Sequence, residues 1–432
     1  MSKNIFVYGD WESLVQPTLI GVLNVDLLKG KEIFSFEYDT EWLQTQKFSF
    51  FDPDLQLYKG RQYTQQNKEL FGFFTDSCPD RWGRLLMTRR EAIEAKEENR
   101  APKKLMESDF LIGIQDISRM GALRFKTELD GPFLAENSKN SIPIWTSIRE
   151  LEQASYLLEK EDITLEEEKK KIQMLIQPGS SLGGARPKAT VQAPDGSLWI
   201  AKFPSRHDEF DSGAWEMVIH ELATLCRLNV PEAKCEKFSK NGSTFLIKRF
   251  DRTSENKRIH FISAMTALGK IDGNNAQDGT SYLDIVQCIQ QQGSKPKEDL
   301  LELWKRIVFS IAVTNTDDHL RNHGFLFDQK GLRLSPMYDV NPNPDGVGLS
   351  LNIDDIDNSL NFDVAIDTAK YFDINKDEAA KIVDGIKQNI RHWKAVAEKV
   401  GISRSNMMRM DNCFKFNELC FQFVTDSDGL EF

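Results

Sequence analysis

The stretch from Ser180 to Lys202 constrains the fold most. GSSLGGARPKATVQ is a glycine-containing loop that feeds a β-rich run, APDG is a tight turn and SLWIAKFP is a second strand, so a hairpin carrying a Gly-rich loop is predicted. Side chains alternate with period two along a strand, which puts Leu198, Ile200 and Lys202 on one face and a lysine among aliphatic neighbours. Ser212 then starts a helix in which Trp215, Val218, Ile219, Leu222 and Cys226 recur at helical spacing. AKCEKFSKNGSTFLIKRFDR follows as a hairpin about an Asn-Gly turn.

The flanking segments read differently. From Asn4 to about Phe51, short β-rich runs (IFVY, LIGVLNV, EIFSFEY) alternate with turn residues and predict a small antiparallel sheet. A charged helix from Arg81 to Arg100, with Trp82, Leu85 and Leu86 as its apolar stripe, is expected to pack on that sheet. The charge run in residues 158–176 reads as a solvated helix face. From about residue 255 the pattern is mainly helical and is interrupted once. With 432 residues and a prior of about 150 per domain, the expected units are 1–130, 131–252 and 253–432.

Composition excludes several function classes. Apolar residues at 40% and charged residues at 28% fit a folded globular protein, and no signal peptide or long uncharged apolar run is present, so a cytoplasmic protein away from the membrane is expected. The six cysteines form no CxxC pair, which indicates neither a zinc site nor a disulfide framework. A formal charge of −11 argues against DNA binding by the chain alone.

The interruption in the helical part, NTDDHLRNHGFLFDQKGLRLSPMYDV, carries the chemistry. Phosphoryl transfer needs a carboxylate to accept the proton of the attacking hydroxyl and oxygen ligands for magnesium. Asp317 and Asn322 stand five apart, the D-x-x-x-x-N spacing of a kinase catalytic loop, and a hairpin of FLF and LRLSPMY about DQKG would bring Asp339 back toward Asn322. Each signal recurs by chance, and an aspartate after a strand often caps a turn. Their serial order is what carries weight: Gly-rich loop, strand lysine, helix with Glu216, hairpin, D-x-x-x-x-N, hairpin, Asp.

SSLGGARPK, IAKFP, LIKRFDR, NTDDHLRN and SPMYDV resemble the motifs of the HipA family of serine/threonine kinases. FFTDSCPDRWGRLL and DFLIGIQDISRMGALRF resemble that family's extra N-terminal subdomain. The resemblance implies an α+β, bilobal protein-kinase-like fold: an antiparallel N-lobe sheet, the extra N-terminal subdomain and a mainly helical C-lobe. By position it implies Asp317 as catalytic base, with Asp318 its rival, and Asn322 and Asp339 as ligands of Mg2+. For ATP it implies the loop Gly183, Gly184, Ala185, Arg186, Pro187 and Lys188, then Lys202, the Lys248, Arg249 and Phe250 backbone, His319 and Tyr338. Glu216 is the expected partner of Lys202, with Glu221 and Glu209 as alternatives. Ser181, or the adjacent Ser180, would be an inactivating autophosphorylation site, a role that a dianionic phosphate is physically able to play.

The same resemblance implies a toxin paired with a helix-turn-helix antitoxin of the HipB type, operator DNA reached only through that antitoxin, and a protein substrate in translation such as an aminoacyl-tRNA synthetase. Rival readings are an aminoglycoside-type small-molecule kinase and a catalytically silent ATP-binding repressor partner. His319 and His323 as a zinc pair is disfavoured, because no acidic residue follows the first histidine and Gly324 breaks a helix there.

Overall fold

The computed structural model describes residues 2–45, 52–65, 67–134, 142–160, 164–176 and 184–416. The N-terminal β-runs form a five-stranded antiparallel sheet, in the order Gln62–Tyr63, Lys31–Tyr38, Thr18–Leu28, Lys3–Gly9, Leu123–Lys126. Its inward row is set by register: Ile5 pairs with Leu23, Leu23 with Phe36, and all three are buried. The alternation of apolar and polar residues thus appears as a one-sided sheet.

A second antiparallel sheet, in the order Lys188–Gln192, Leu198–Lys202, Gly242–Lys248, Ala233–Ser239, is the predicted pair of hairpins joined through their middle strands. In the second hairpin Ser239 pairs with Gly242, so the two-residue loop is Lys240-Asn241 and the glycine follows it at φ +144°. Period two divides the strand Leu198–Lys202 between two environments. Trp199 and Ala201 join one helical core, while Ile200 packs with Phe245 and Ile247 on the opposite face.

The helix Arg81–Glu97 corrects the sequence reading. It does not pack on the first sheet: Trp82, Leu86 and Ile93 share a core with Ile148 and Leu151 of helix Ile148–Leu158, Ile172 and Leu175 of helix Leu165–Ile176, and Trp199 and Leu246 of the second sheet. Leu85, expected in the stripe, is exposed. Sequence distance is no guide here, because an amphipathic face specifies burial and not a partner.

The C-terminal region is mainly helical, as expected. A third sheet, Phe261–Ser263 with the hairpin Gly324–Asp328 and Gly331–Leu334, lies against it. The hairpin was expected; the strand Phe261–Ser263 was not, because three residues are too short for a periodic signal. Helix Pro296–Ala312 runs through the core with Trp304 donating to the Ala365 carbonyl at 2.9 Å. Among the described residues no helix is long and apolar enough to cross a membrane.

The helix Ser212–Leu225, capped by Asp211, begins hard against the second sheet. A Cβ on Gly213 would stand 2.1 Å from the Ser243 carbonyl oxygen. Gly213→Ala should therefore lose ~1–3 kcal/mol through overpacking. A denaturant midpoint unchanged from wild type would show that the helix shifts freely at that end.

Candidate active site

The second sheet and the helix Ser212–Leu225 are brought together by charge as well as by packing. Lys202, last residue of its strand, points its Nζ at Glu216 Oε1 (2.5 Å) and Asp339 Oδ1 (2.6 Å). Glu221 instead pairs with Lys399 and Glu209 with Arg409 at the surface, so only Glu216 faces inward. Burial alone would neutralise the ammonium, but the two carboxylates outweigh it and raise the Lys202 pKa. Burial likewise favours protonated Asp339, yet Lys202 and then Lys188 hold its carboxyl down at about 2. Glu216 remains raised, its burial countered only partly by Lys202.

The expected catalytic loop follows helix Pro296–Ala312 and is pinned from several sides. The Thr314 hydroxyl donates to the Cys413 carbonyl (2.9 Å), Asn315 Nδ2 donates to Ser310 Oγ (3.2 Å), and Ser350 Oγ donates to the Thr316 carbonyl (2.8 Å). Thr314 (φ +52°) and Asp339 (φ +57°) both occupy the left-handed region, uncommon for residues with a side chain and recurrent at functional sites. Asp317 and Asp318 separate completely. The Asp318 side chain is buried, accepting from Tyr282 OH (2.6 Å) and Ser310 Oγ (3.3 Å), with His323 Nε2 at 2.9 Å. The Asp317 side chain is 84% exposed in the cleft, with His319 Nε2 at 3.9 Å.

Asn322, in the turn Leu320–Asn322, donates Nδ2 to the Asp317 carbonyl at 2.8 Å, while its buried Oδ1 has no partner among the described residues. Tyr338 OH donates to the Arg321 carbonyl (2.7 Å), fastening the segment before Asp339 to this turn. Asp317, His319, Asp339, Lys202 and Lys188 line one cavity of about 490 Å³, with Gly184, Ala185 and Arg186 on its wall. The Arg186 guanidinium is forked onto Asp208 (2.8 and 2.8 Å), and Pro187 is buried with its carbonyl accepting from Phe203 N–H. Ser180, Ser181 and Gly183 lie outside the described residues.

A second, apolar pocket adjoins the first at Lys202 and Asp339. It is lined by Ile200, Ile247, the Lys248–Phe250 segment, Tyr338 and Met120. The Lys248 N–H donates to Glu232 O (2.8 Å) and the Arg249 N–H to Leu198 O (2.9 Å). The Arg249 side chain is buried on Asp251 and the Ser118 and Arg119 carbonyls, a strut rather than a cleft residue.

Several residues here were not anticipated: Met120 in the apolar pocket, Arg81, Asp272 and Arg321 on the larger cavity, and Asp80 behind Lys188. Asp80 caps helix Arg81–Glu97 through Gly83 N–H (2.8 Å) and also holds Lys188 Nζ at 3.0 Å. Asp80 and Arg81 stand in the CPDRWGRLL run, legible as a motif but not as a neighbour of a loop a hundred residues on.

The HipA-like C-terminal domain model matches residues 180–407 and the HipA N-terminal domain model matches residues 14–108. The chain belongs to the HipA family. Its fold is that of HipA in the Shewanella oneidensis MR-1 HipA, HipB and operator DNA complex (TM-score 0.63, 17% identity, 95% of this chain and 94% of that one), which makes it the bilobal α+β fold expected. Among curated relatives, Y4mE of Sinorhizobium fredii is 28% identical over 182 residues, 37% of this chain and 41% of that protein. A Haemophilus influenzae protein is 26% identical over 194 residues, 39% of this chain and 55% of that protein. The names of both carry the word kinase. The matches span only about half the length of these relatives. In HipA-family terms, Asp80 falls in the N-terminal match and Lys188 in the C-terminal one, so this buried ion pair joins the two family domains.

Removing the Lys202 charge leaves the buried Glu216 and the partly buried Asp339 without their shared cation, with only Lys188 still acting on Asp339. Lys202→Met should destabilise the fold by ~3–5 kcal/mol at neutral pH. The pH dependence should also invert. In the wild type Asp339 is depressed, so its contribution is complete above its unfolded value and fades as pH falls toward about 2. In the variant both carboxyls would be raised, a contribution present at low pH and lost as pH rises. Melting curves from pH 4 to 8 should show the gap to wild type widening with pH; a constant gap would contradict this assignment of charge.

Proposed function

We propose that the chain is an ATP- and Mg2+-dependent serine/threonine protein kinase, the toxin of a HipA/HipB-type pair. The observation that carries the reading is Lys202 held by Glu216 and Asp339 beside an exposed Asp317 on the same cavity. A cation so placed meets the phosphates of a nucleotide whose base enters the apolar pocket between Ile200 and Ile247. With the Lys248 and Arg249 amides committed to the sheet, the Phe250 N–H is the donor left for a base edge.

Asp317 orients the acceptor hydroxyl and takes its proton as the oxygen attacks the γ-phosphoryl in line. Its pKa is raised: the surrounding cleft walls thin the water about an otherwise exposed carboxyl, and Asp339 and Asp318 repel its charge, against the pull of His319. Asp318, spent on Tyr282 and His323, is less suited to the part. Lys202 and Lys188 hold the phosphates, for which they exchange Asp339 and the Gly184 carbonyl. Asn322 Oδ1, buried without a partner among the described residues, and ionised Asp339 suit Mg2+, and would hold it. Bound there, the ion neutralises charge on the phosphates. Family membership supports the remaining parts of the proposal: a HipB-type helix-turn-helix antitoxin, operator DNA reached through it, a translation protein such as an aminoacyl-tRNA synthetase as substrate, and inactivation by phosphate on Ser181.

Intact-mass spectrometry after incubation with Mg-ATP, with peptide mapping, tests the reading. Wild type should gain one phosphate, at Ser181. Asp317→Asn should gain it about 10²–10⁴-fold more slowly while still binding ATP. Equal rates in both would refute the assigned base, and no phosphate on either with ATP still bound would turn the reading toward a binding module or a kinase that modifies only its substrate.

A further inference from the structure

The cations inside the cleft are balanced individually: Arg186 by Asp208, Lys188 by Asp80, Lys202 by Glu216 and Asp339. At its mouth the pairing is looser. Arg81, first residue of its helix, and Arg321, beside Asn322, both approach Asp272, at 3.2 and 3.6 Å. Two guanidiniums share this one carboxylate, with Asp317 in the field of Arg81 and Asp76 in that of Arg321. The side chains of Arg81 and Arg321 are 68% and 31% exposed, so the pair contributes little to stability and stays open to a partner. Both line the cavity that holds Asp317.

We infer that Arg81 and Arg321 recognise an acidic side chain of the protein acceptor, next to the serine or threonine that is phosphorylated, with Arg81 the specificity-determining residue. This rests on the kinase reading. A hydroxyl that reaches Asp317 must carry its flanking residues past the rim where Arg81 stands, whereas nucleotide phosphates lie deeper, at Lys188 and Lys202. Planar guanidiniums match carboxylates in forked geometry, and Asp272 occupies the pair in the free protein as an acceptor's acid would.

The test is phosphate transfer by the full-length chain from Mg-ATP to a peptide library with one serine or threonine and Glu, Ala or Lys at each flanking position. Glu at one or two positions should raise kcat/KM about tenfold over Ala, equivalent to about 1.4 kcal/mol. Arg81→Gln should level the preference and Arg81→Glu should turn it toward Lys, with the KM for ATP and the melting temperature unchanged. Equal use of all peptides by wild type, a Glu preference that survives Arg81→Glu, an effect on the KM for ATP instead, or phosphate on the protein itself but on no peptide would each overturn the inference and leave the kinase reading standing. No phosphate on any peptide or on the protein would overturn both.

Discussion

Everything about the cleft depends on the buried ammonium of Lys202. A lone charge in such a place costs several kcal/mol, so the fold must deliver carboxylates to it. It delivers two, from elements far apart in sequence: Glu216 from the helix that Gly213 lets lie flat on the sheet, and Asp339 from the segment after the third sheet. That single group therefore ties one helix to a loop residue with left-handed backbone. A hydrophobic residue of similar volume would cost less to bury. Retaining the cation makes sense where an anionic ligand is later to share it.

The N-terminal region is built into this arrangement. At one end, Asp80 holds Lys188, which lies opposite Lys202 in the sheet register. At the other end, the Arg249 guanidinium is buried on the Ser118 and Arg119 carbonyls and on Asp251, whose second oxygen accepts from Gly121 N–H at 2.8 Å. The same segment supplies Met120 to the apolar pocket. Both ends of the cleft thus carry contacts from residues before 130, and helix Arg81–Glu97 packs with the second sheet. Without the N-terminal region Lys188 would lose the Asp80 carboxylate and keep the Gly184 carbonyl, and Arg249 would lose the Ser118 and Arg119 carbonyls and keep Asp251.

Much of this was legible because it is local. Strand alternation put Lys202 on the cleft face, the five-residue spacing joined Asp317 to Asn322, and the turn DQKG announced the hairpin that leads to Asp339. These depend on backbone periodicity and turn chemistry, which a few residues determine. The choice of Glu216 over Glu221 and Glu209 was not legible, since a helix's pattern gives its apolar face but not which carboxylate meets a cation on another element.

The sequence by itself determined the elements, their order, the family resemblance and the candidate residues, because those follow from short-range sterics and motif spacing. Only the tertiary structure decided that Asp318 is buried on Tyr282 and His323 while its neighbour Asp317 faces the cleft, that helix Arg81–Glu97 leaves the first sheet for the second, and that Asp80 meets Lys188. The reason is physical: where a charged side chain ends up depends on which partners are brought near as the core closes, and these come from other elements, Tyr282 36 residues from Asp318 and Asp80 108 residues from Lys188.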